Sequence, residues 1–598
     1  MNTGSSAGAL PGTVIETTNM VSMRDGTRLS TDLYFPARQR QALPTVLTRT
    51  PYDKRKFRDS TSELWKFVEA GFVVAVQDLR GTFESEGDCR VSEHERHDGH
   101  DTVVWLAGQA WSNGRVGTYG CSHRGEVQYQ LAAERPPGLA CMIAQAGGSI
   151  LSGETARSYI HMGGAVNLGI APWYRTHQNT VRPQFPRGTP AELIRQASAH
   201  HSLAPVQVEM RYPQDLQHLP IIDILDRVGS PPSEWRDMVS HAPGDPWWQR
   251  KGHVTRRDVL DVPILHVNSW FDFGVQETLM LAEMVRQHGG SERTRRNQFV
   301  LVSAAGHCGS EKLVPGAGIG ELDLGDPSFN AFGLYIRWFR HWLEGPGDDY
   351  PDQPYIRYFL LNRNAWREAP SWPPPGAVPT AWYLSSRHGA QSLHGDGRLH
   401  TTPAGDAGSD SFVYDPLNPV PTAGGVMWSP GTPPAVPIGP VDQRAAQVRQ
   451  DVLVYTSPPF ARAQEVVGPI SAALWVRSSA PDTDFTAKLS VVLPDGRALW
   501  LSEGILRLRY WAGLDQARPV PPGSVTPIRI DLKAIAFEIQ PGSCVRLEVS
   551  SSNFPRFERN LNTGGNNFDE CTPVTAVNTV MHGPLQPSCL SLCLRAAS

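Results

Sequence analysis

A short apolar run at residues 116–119 leads into Gly120-Cys121-Ser122-His123-Arg124-Gly125, and residues 125–134 then take up a helical rhythm. A strand, a tight turn at a glycine-flanked serine and a helix make a nucleophile elbow, which exposes a serine hydroxyl at the end of an α/β-hydrolase sheet. The turn needs small residues two before and three after the serine, and Gly120 and Gly125 stand there. Arg124 takes the position where the five-residue form of the elbow has its second glycine.

The flanking sequence agrees with such a sheet. Residues 14–23 and 28–35, joined by Asp25-Gly26, read as a hairpin. Apolar runs at 43–50 and 72–76 fit buried strands of a parallel sheet. Helical rhythms at 60–70, 98–110 and 125–134 lie between or after the strands. This alternation predicts an α/β domain over residues 1–147. It resumes over 256–347, with strands at 262–267 and 299–302 and helices at 277–287 and 331–343. The intervening 148–255 is rich in aromatic residues, proline and helical segments (191–199, 221–228, 235–240) and reads as an inserted helical cap. From 348 to 598, Pro- and Gly-rich stretches separate short β-like runs such as 451–455, 470–476, 487–493, 528–532 and 545–549. Asp495-Gly496 is a hairpin signal among them. Strands so spaced, without helices, predict a C-terminal jelly-roll β-sandwich. The expected fold class is therefore α/β: a hydrolase domain with an inserted helical cap, followed by an all-β domain.

A serine hydroxyl becomes a nucleophile only beside a base, and the base needs an acid to orient it. In α/β-hydrolases the order is serine, acid, histidine, with both partners on loops after strands. Asp272 follows the run 262–270, and His307 follows 299–302. Taken singly, Asp272 reads as a turn residue and His307 as a loop residue; in this order and at strand ends they form a set with Ser122. The long gap between Ser122 and Asp272 suits an inserted cap. For the oxyanion, the donors expected are the backbone N–H of His123 and the hydroxyl of Tyr52, which directly follows an early strand. Tyr159, Trp173, Tyr174, Trp270 and Phe273 are the aromatic candidates for the substrate pocket.

Composition excludes several other classes. The net charge is −4 and no long Lys/Arg run exists, so nucleic acid is not an expected partner. No stretch reaches about 18 consecutive apolar residues, and the first twelve lack an apolar leader, so a cytoplasmic protein without a membrane span is expected. The eight cysteines never form a CxxC pair and read as reduced thiols, with Cys121 and Cys308 as small packing residues. His94, His97 and His100 are spaced by three, as metal ligands on a helix could be, but Gly99 lies among them and a metal site is not the expected reading. No metal or organic cofactor is expected.

Longer stretches carry a resemblance. Thr50-Pro51-Tyr52-Asp53-Lys54, Gln77-Asp78-Leu79-Arg80-Gly81 with Ser85-Glu86-Gly87, Asp98-Gly99 with Asp101-Thr102, and residues 110–117 before the elbow follow one another in order. So do Asp245-Pro246-Trp247-Trp248, Ser269-Trp270-Phe271-Asp272, Gly306-His307, residues 454–459 and residues 480–485. Together these resemble the cocaine esterase and glutaryl-acylase (CocE/NonD) family, relatives of the X-Pro dipeptidyl peptidases. The resemblance implies an α/β-hydrolase, a helical cap and a jelly roll. It also implies Tyr52 as the oxyanion tyrosine, Ser122 as nucleophile, Asp272 as acid and His307 as base. Two departures stand out. The residue after the nucleophile is usually tyrosine and here is His123. Relatives that cleave α-amino esters carry acids just after the catalytic aspartate, whereas Phe273, Gly274 and Val275 follow Asp272.

The function expected is hydrolysis of a small-molecule ester or amide through a Ser–Asp–His triad and an acyl-enzyme. Three rival readings are weighed against it. They are an acyltransferase or cyclase resolving the same acyl-enzyme, an X-Pro-type exopeptidase without a match to that group's extra N-terminal domain, and an inactive jelly-roll binding protein. A homodimer is left open.

Overall fold

The computed structural model describes residues 14–597 apart from 38–41, 59–61, 153–155, 158, 177–184, 187, 201–209, 212, 346–353 and 427–435. Met1–Gly12, His201 and part of the proline-rich 430–440 stretch thus lie outside the described residues. The strands of the first sheet are β1 (Val14–Ser22), β2 (Arg28–Phe35), β3 (Leu43–Thr50), β4 (Val73–Asp78), β5 (Ser112–Cys121) and β6 (Leu139–Gln145). It continues with β7 (Ile264–Phe271), β8 (Gln298–Gly306), β9 (Ile356–Leu360) and β10 (Ala365–Ala369). Their order is β1-β2-β4-β3-β5-β6-β7-β8-β9-β10. From β4 through β9 every pairing is parallel. The reason is visible in β3, β4 and β7, whose residues are all buried: such strands need cover on both faces, and parallel crossovers put helices there.

On one face Val46, Val74, Tyr119 and Leu301 pack with Phe67 and Phe339. On the other, Leu47, Ala75 and Val116 pack with Leu131 and with Val103 and Leu106 of helix α1 (Glu95–Ala107). Helix α2 (His123–Ala133) follows the serine, α3 (Val275–His288) follows the acid, and α4 (Ala331–Phe339) closes the face that holds Tyr119. The domain boundary expected at 347/348 falls short of the sheet, because β9 and β10 extend it beyond that point. Both are five-residue strands with no helix between them, in a region whose prolines make it look like a linker.

Between β6 and β7 the chain forms short helices, among them Ala171–Thr176, Ala191–His200 and Trp235–Ser240. The cap is not purely helical, for strands Ala156–Arg157, His161–Met162 and Ala165–Val166 make a small antiparallel sheet. Gly163 sits at its second turn with φ +55°, and a Cβ there would lie 1.8 Å from the Ile505 carbonyl oxygen. Glycine therefore lets the cap touch the C-terminal domain, whose Arg507 N–H donates to the Gly163 carbonyl at 2.8 Å.

The C-terminal domain is β-rich, with an 11-stranded, mainly antiparallel sheet. Strand Thr526–Ile539, bonded to Gln464–Ser478, also packs on Ala498–Arg507, so the sheet folds over on itself around an apolar core. That core is continuous with the cap and with α3: Trp173, Phe273, Val275, Trp500 and Phe537 belong to one cluster. Among the described residues no helix is long and apolar enough to cross a membrane.

Candidate active site

Ser122 stands between β5 and α2 with φ 65° and ψ −133°, backbone values that a non-glycine residue adopts only when its surroundings enforce them. The enforcing bonds are local. The Ser122 N–H donates to the Gln145 carbonyl at 3.0 Å, and the Gly125 N–H returns to the Ser122 carbonyl at 2.7 Å. A Cβ on Gly125 would lie 2.3 Å from the same Gln145 oxygen, which explains the small residue three after the serine. Arg124 at the next position is accommodated because its guanidinium turns outward to Glu63 at 3.3 Å and the Phe57 ring.

Asp272 ends the turn after β7 and is fully buried. One carboxylate oxygen accepts the Gly274 N–H at 2.7 Å, and the other faces Nδ1 of His307 in a short hydrogen bond. Nε2 of His307 lies 2.9 Å from the Ser122 hydroxyl. Phe273 stacks on the imidazole at 5.0 Å between centroids. The Tyr52 hydroxyl is 3.3 Å from the Ser122 hydroxyl and accepts the indole N–H of Trp173 at 3.3 Å. Burial raises the Tyr52 phenol above its ordinary value, so it keeps its proton and remains a donor. The loop carrying Tyr52 is anchored by Lys54, whose ammonium is buried against Asp32 at 2.7 Å and Glu84 at 2.6 Å. The Lys54 N–H also donates to Asp78, whose carboxyl burial pushes up to about 8.

The aromatic candidates separate. Trp173 and Phe273 reach the site. Tyr159 and Tyr174 stand behind Trp173 and bond each other through their hydroxyls at 3.3 Å. Trp270 does not reach it: its indole donates to the Phe359 carbonyl at 2.7 Å, and its ring packs on Trp372 and Tyr358. Trp270 and Phe271 are neighbours on one strand, so they point to opposite faces. The three spaced histidines do not converge on a point: His100 bonds Asp101 and Arg24, while His97 lies 3.9 Å from Glu134. Among the described residues no group of three or more His, Cys, Asp or Glu is placed to hold a metal.

Three features were not expected. Cys121 and Cys308, read as reduced packing residues, are joined in a disulfide with Cα atoms 5.9 Å apart. They are 187 residues apart in sequence and meet because β5 and β8 end at the same edge of the sheet; spacing along the chain carries no trace of that. The bridge thus links the residue before the serine to the residue after the histidine. Glu126, one turn into α2, is buried and bonds Nδ1 of His123 at 2.8 Å. Ser149 donates its hydroxyl to the other oxygen of Glu126.

Two family models match successive parts of the chain. The X-Pro dipeptidyl-peptidase (S15 family) model matches residues 25–309, and the X-Pro dipeptidyl-peptidase C-terminal non-catalytic domain matches 350–591. Cocaine esterase of Rhodococcus sp. (strain MB1 Bresler) is 34% identical over 583 residues, 95% of this chain and 96% of the relative. Among solved structures, an aminopeptidase from a marine sediment Thaumarchaeota archaeon aligns with TM-score 0.78 at 23% identity, covering 100% of this chain and 99% of the other. An alpha-amino acid ester hydrolase aligns with TM-score 0.78 at 23% identity, covering 99% and 98%. At that identity the two structures speak for the fold.

Proposed function

The chain belongs to the CocE/NonD family of X-Pro dipeptidyl-peptidase-like serine ester hydrolases, and from that premise we propose that it cleaves a small-molecule ester or amide through an acyl-enzyme on Ser122. The observation that carries the reading is the position of one hydroxyl: Ser122 Oγ is within hydrogen-bond reach of both His307 Nε2 and the Tyr52 hydroxyl. In the proposed reaction His307 removes the Ser122 proton as Oγ attacks the substrate carbonyl. Asp272 holds Nδ1–H and stabilises the imidazolium that forms. The carbonyl oxygen, now an anion, takes hydrogen bonds from Tyr52 and the backbone N–H of His123. His307 returns the proton to the leaving alcohol or amine. Water, deprotonated by the same histidine, then releases the acid.

The acyl group proposed has no α-amino substituent. Phe273, Gly274 and Val275 follow Asp272, so none of the three residues after the acid is a carboxylate that could hold a substrate ammonium, and Phe273 stacks on the imidazole. A cytoplasmic setting is part of the proposal, from the sequence alone. The test is turnover of a p-nitrophenyl acyl ester panel by the native enzyme and Ser122→Ala, with fluorophosphonate labelling and peptide mapping. Turnover lost in the variant and a label on Ser122 are expected; native turnover that survives Ser122→Ala ends the reading. Product analysis with competing alcohols or amines separates hydrolysis from acyl transfer.

A further inference from the structure

The tyrosine proposed for the oxyanion is bonded to a residue from another part of the chain. Trp173 lies in the cap, on the short helix Ala171–Thr176, and is buried. Its indole N–H donates to the Tyr52 hydroxyl oxygen at 3.3 Å, and the same hydroxyl lies 3.3 Å from Ser122 Oγ. An indole nitrogen carries a hydrogen and offers no acceptor, so the direction of this bond depends on no charge state or tautomer. A phenolic hydrogen turned towards the indole would meet another hydrogen. The N–H therefore takes a lone pair of the Tyr52 oxygen and leaves the phenolic hydrogen for Ser122.

The donor directions then run one way through the site. Trp173 donates to Tyr52, Tyr52 to Ser122, the Ser122 hydroxyl to Nε2 of His307, and Nδ1–H of His307 to the Asp272 carboxylate. When negative charge grows on the substrate oxygen, Tyr52 takes up part of it. An N–H already donating to the Tyr52 oxygen stabilises that share, because chained hydrogen bonds strengthen one another. The gain is larger in the transition state than with bound substrate, so it falls on kcat. The indole is itself braced from behind. Tyr174 packs edge-on to its ring at 5.3 Å and Tyr159 at 6.3 Å. The Tyr159 carbonyl accepts the side-chain amide of Asn167 at 3.0 Å, and the Asn167 oxygen accepts from Arg556 of the β-rich domain at 3.0 Å.

Resting on the hydrolase reading above, we propose that Trp173 is a positioning residue: its indole N–H sets the Tyr52 hydroxyl as a donor towards the reacting carbonyl oxygen, so the cap supplies part of the hydrolytic machinery and not only a wall of the substrate pocket. A wall acts on substrate binding and depends on the acyl chain. A positioning residue acts through one hydroxyl and loses its effect when that hydroxyl is gone.

The experiment is a double-mutant cycle of Trp173→Phe and Tyr52→Phe, read as kcat and KM on p-nitrophenyl acetate and p-nitrophenyl butyrate. Phenylalanine keeps an aromatic ring in the cap and removes the N–H. Trp173→Phe is expected to lower kcat about five- to tenfold on both esters with little change in KM, the effect of one neutral hydrogen bond. In the Tyr52→Phe background the same substitution is expected to change kcat by no more than about twofold. An equal fall in both backgrounds, or no fall when Tyr52 is present, overturns the proposal. So does a fall confined to butyrate, or an effect carried by KM alone. If Trp173→Phe lacks a cooperative thermal melt, Trp173→Leu, which also has no donor, takes its place in the cycle. Native turnover that survives Ser122→Ala overturns the hydrolase reading and this proposal together. Native turnover lost in Ser122→Ala, beside an additive cycle, overturns this proposal alone.

Discussion

At the scale of single residues, burial sets what each titratable group can do. Tyr52 keeps its proton because it is buried, and it is one of two donors proposed for the oxyanion. Tyr52→Phe is expected to lower kcat by about 10²–10³ with little change in KM, measured on the best p-nitrophenyl ester. His266 shows the same force with opposite sign. It lies in β7 between the Tyr129 hydroxyl at 2.7 Å and Gln298 at 3.0 Å, and burial lowers its pKa from 6.5 to about 4. A depressed histidine contributes stability that is full above pH 6.5 and is lost as the pH falls towards 4, amounting to roughly 3 kcal/mol. Native protein and His266→Gln should therefore differ in the slope of stability between pH 6.5 and 4, read as urea midpoints; parallel slopes would refute this. The meeting of Ser122, His307 and Asp272 was legible because each carries its own chemistry and chain order constrains the set. The Glu126 partnership was not, since a glutamate one turn into a helix looks like any solvated helical carboxylate. Trp270 misled for a related reason: its motif places it beside the acid, and only the pleat of β7 sends its ring the other way.

At the scale of elements, the elbow depends on one crowded contact. The Gln145 carbonyl at the end of β6 accepts the Ser122 N–H and leaves no room for a Cβ on Gly125. Gly125→Ala must push β6 and the elbow apart, at a cost of about 1–3 kcal/mol. Loss of Ser122 labelling in a variant that still folds, judged by circular dichroism and thermal melting, is the expected result. The disulfide acts at the same scale, joining the end of β5 to the loop after β8. Cys308→Ser, or a dithiol reductant on the native enzyme, is expected to lower kcat because Ser122 and His307 lose their covalent tie; equal activity in both redox states would remove that role. In the cytoplasmic setting proposed above the bond would meet a reducing environment, and its occupancy would follow the local thiol poise. The parallel strands were readable from runs such as residues 72–76, where apolar residues fill both faces of what becomes β4 (Val73–Asp78). The small cap sheet was not, because its strands are two residues long and arise from Gly163 and Gly164 rather than from any alternation.

At the scale of the whole molecule, the three parts of the chain share one core, and polar contacts fix how they meet. Glu558 of the β-rich domain accepts the Val166 N–H of the cap at 2.9 Å and pairs with buried Arg507 at 2.9 Å. Arg556 reaches Asn167 at 3.0 Å, and Lys533 reaches Glu277 of α3 at 2.7 Å. Glu558→Ala removes the acceptor of the Val166 N–H and one of the two carboxylates paired with buried Arg507, which keeps Asp484 at 2.9 Å, and is expected to destabilise the protein by about 1–3 kcal/mol, measured by chemical denaturation. A single transition for all three parts is expected, and separate transitions would show that the interface is not shared in this way. The Cys121–Cys308 bridge has a further consequence at this scale, one of topology. It closes a covalent ring that holds Ser122, the entire cap, Asp272 and His307. A protease that nicks the cap opens the ring without dividing the molecule, so the product keeps its full mass on a denaturing gel until a reductant is added. A nick beyond residue 308 lies outside the ring and separates the fragments in either case. Electrophoresis with and without reductant thus locates a cut relative to the disulfide-closed ring before any peptide is sequenced.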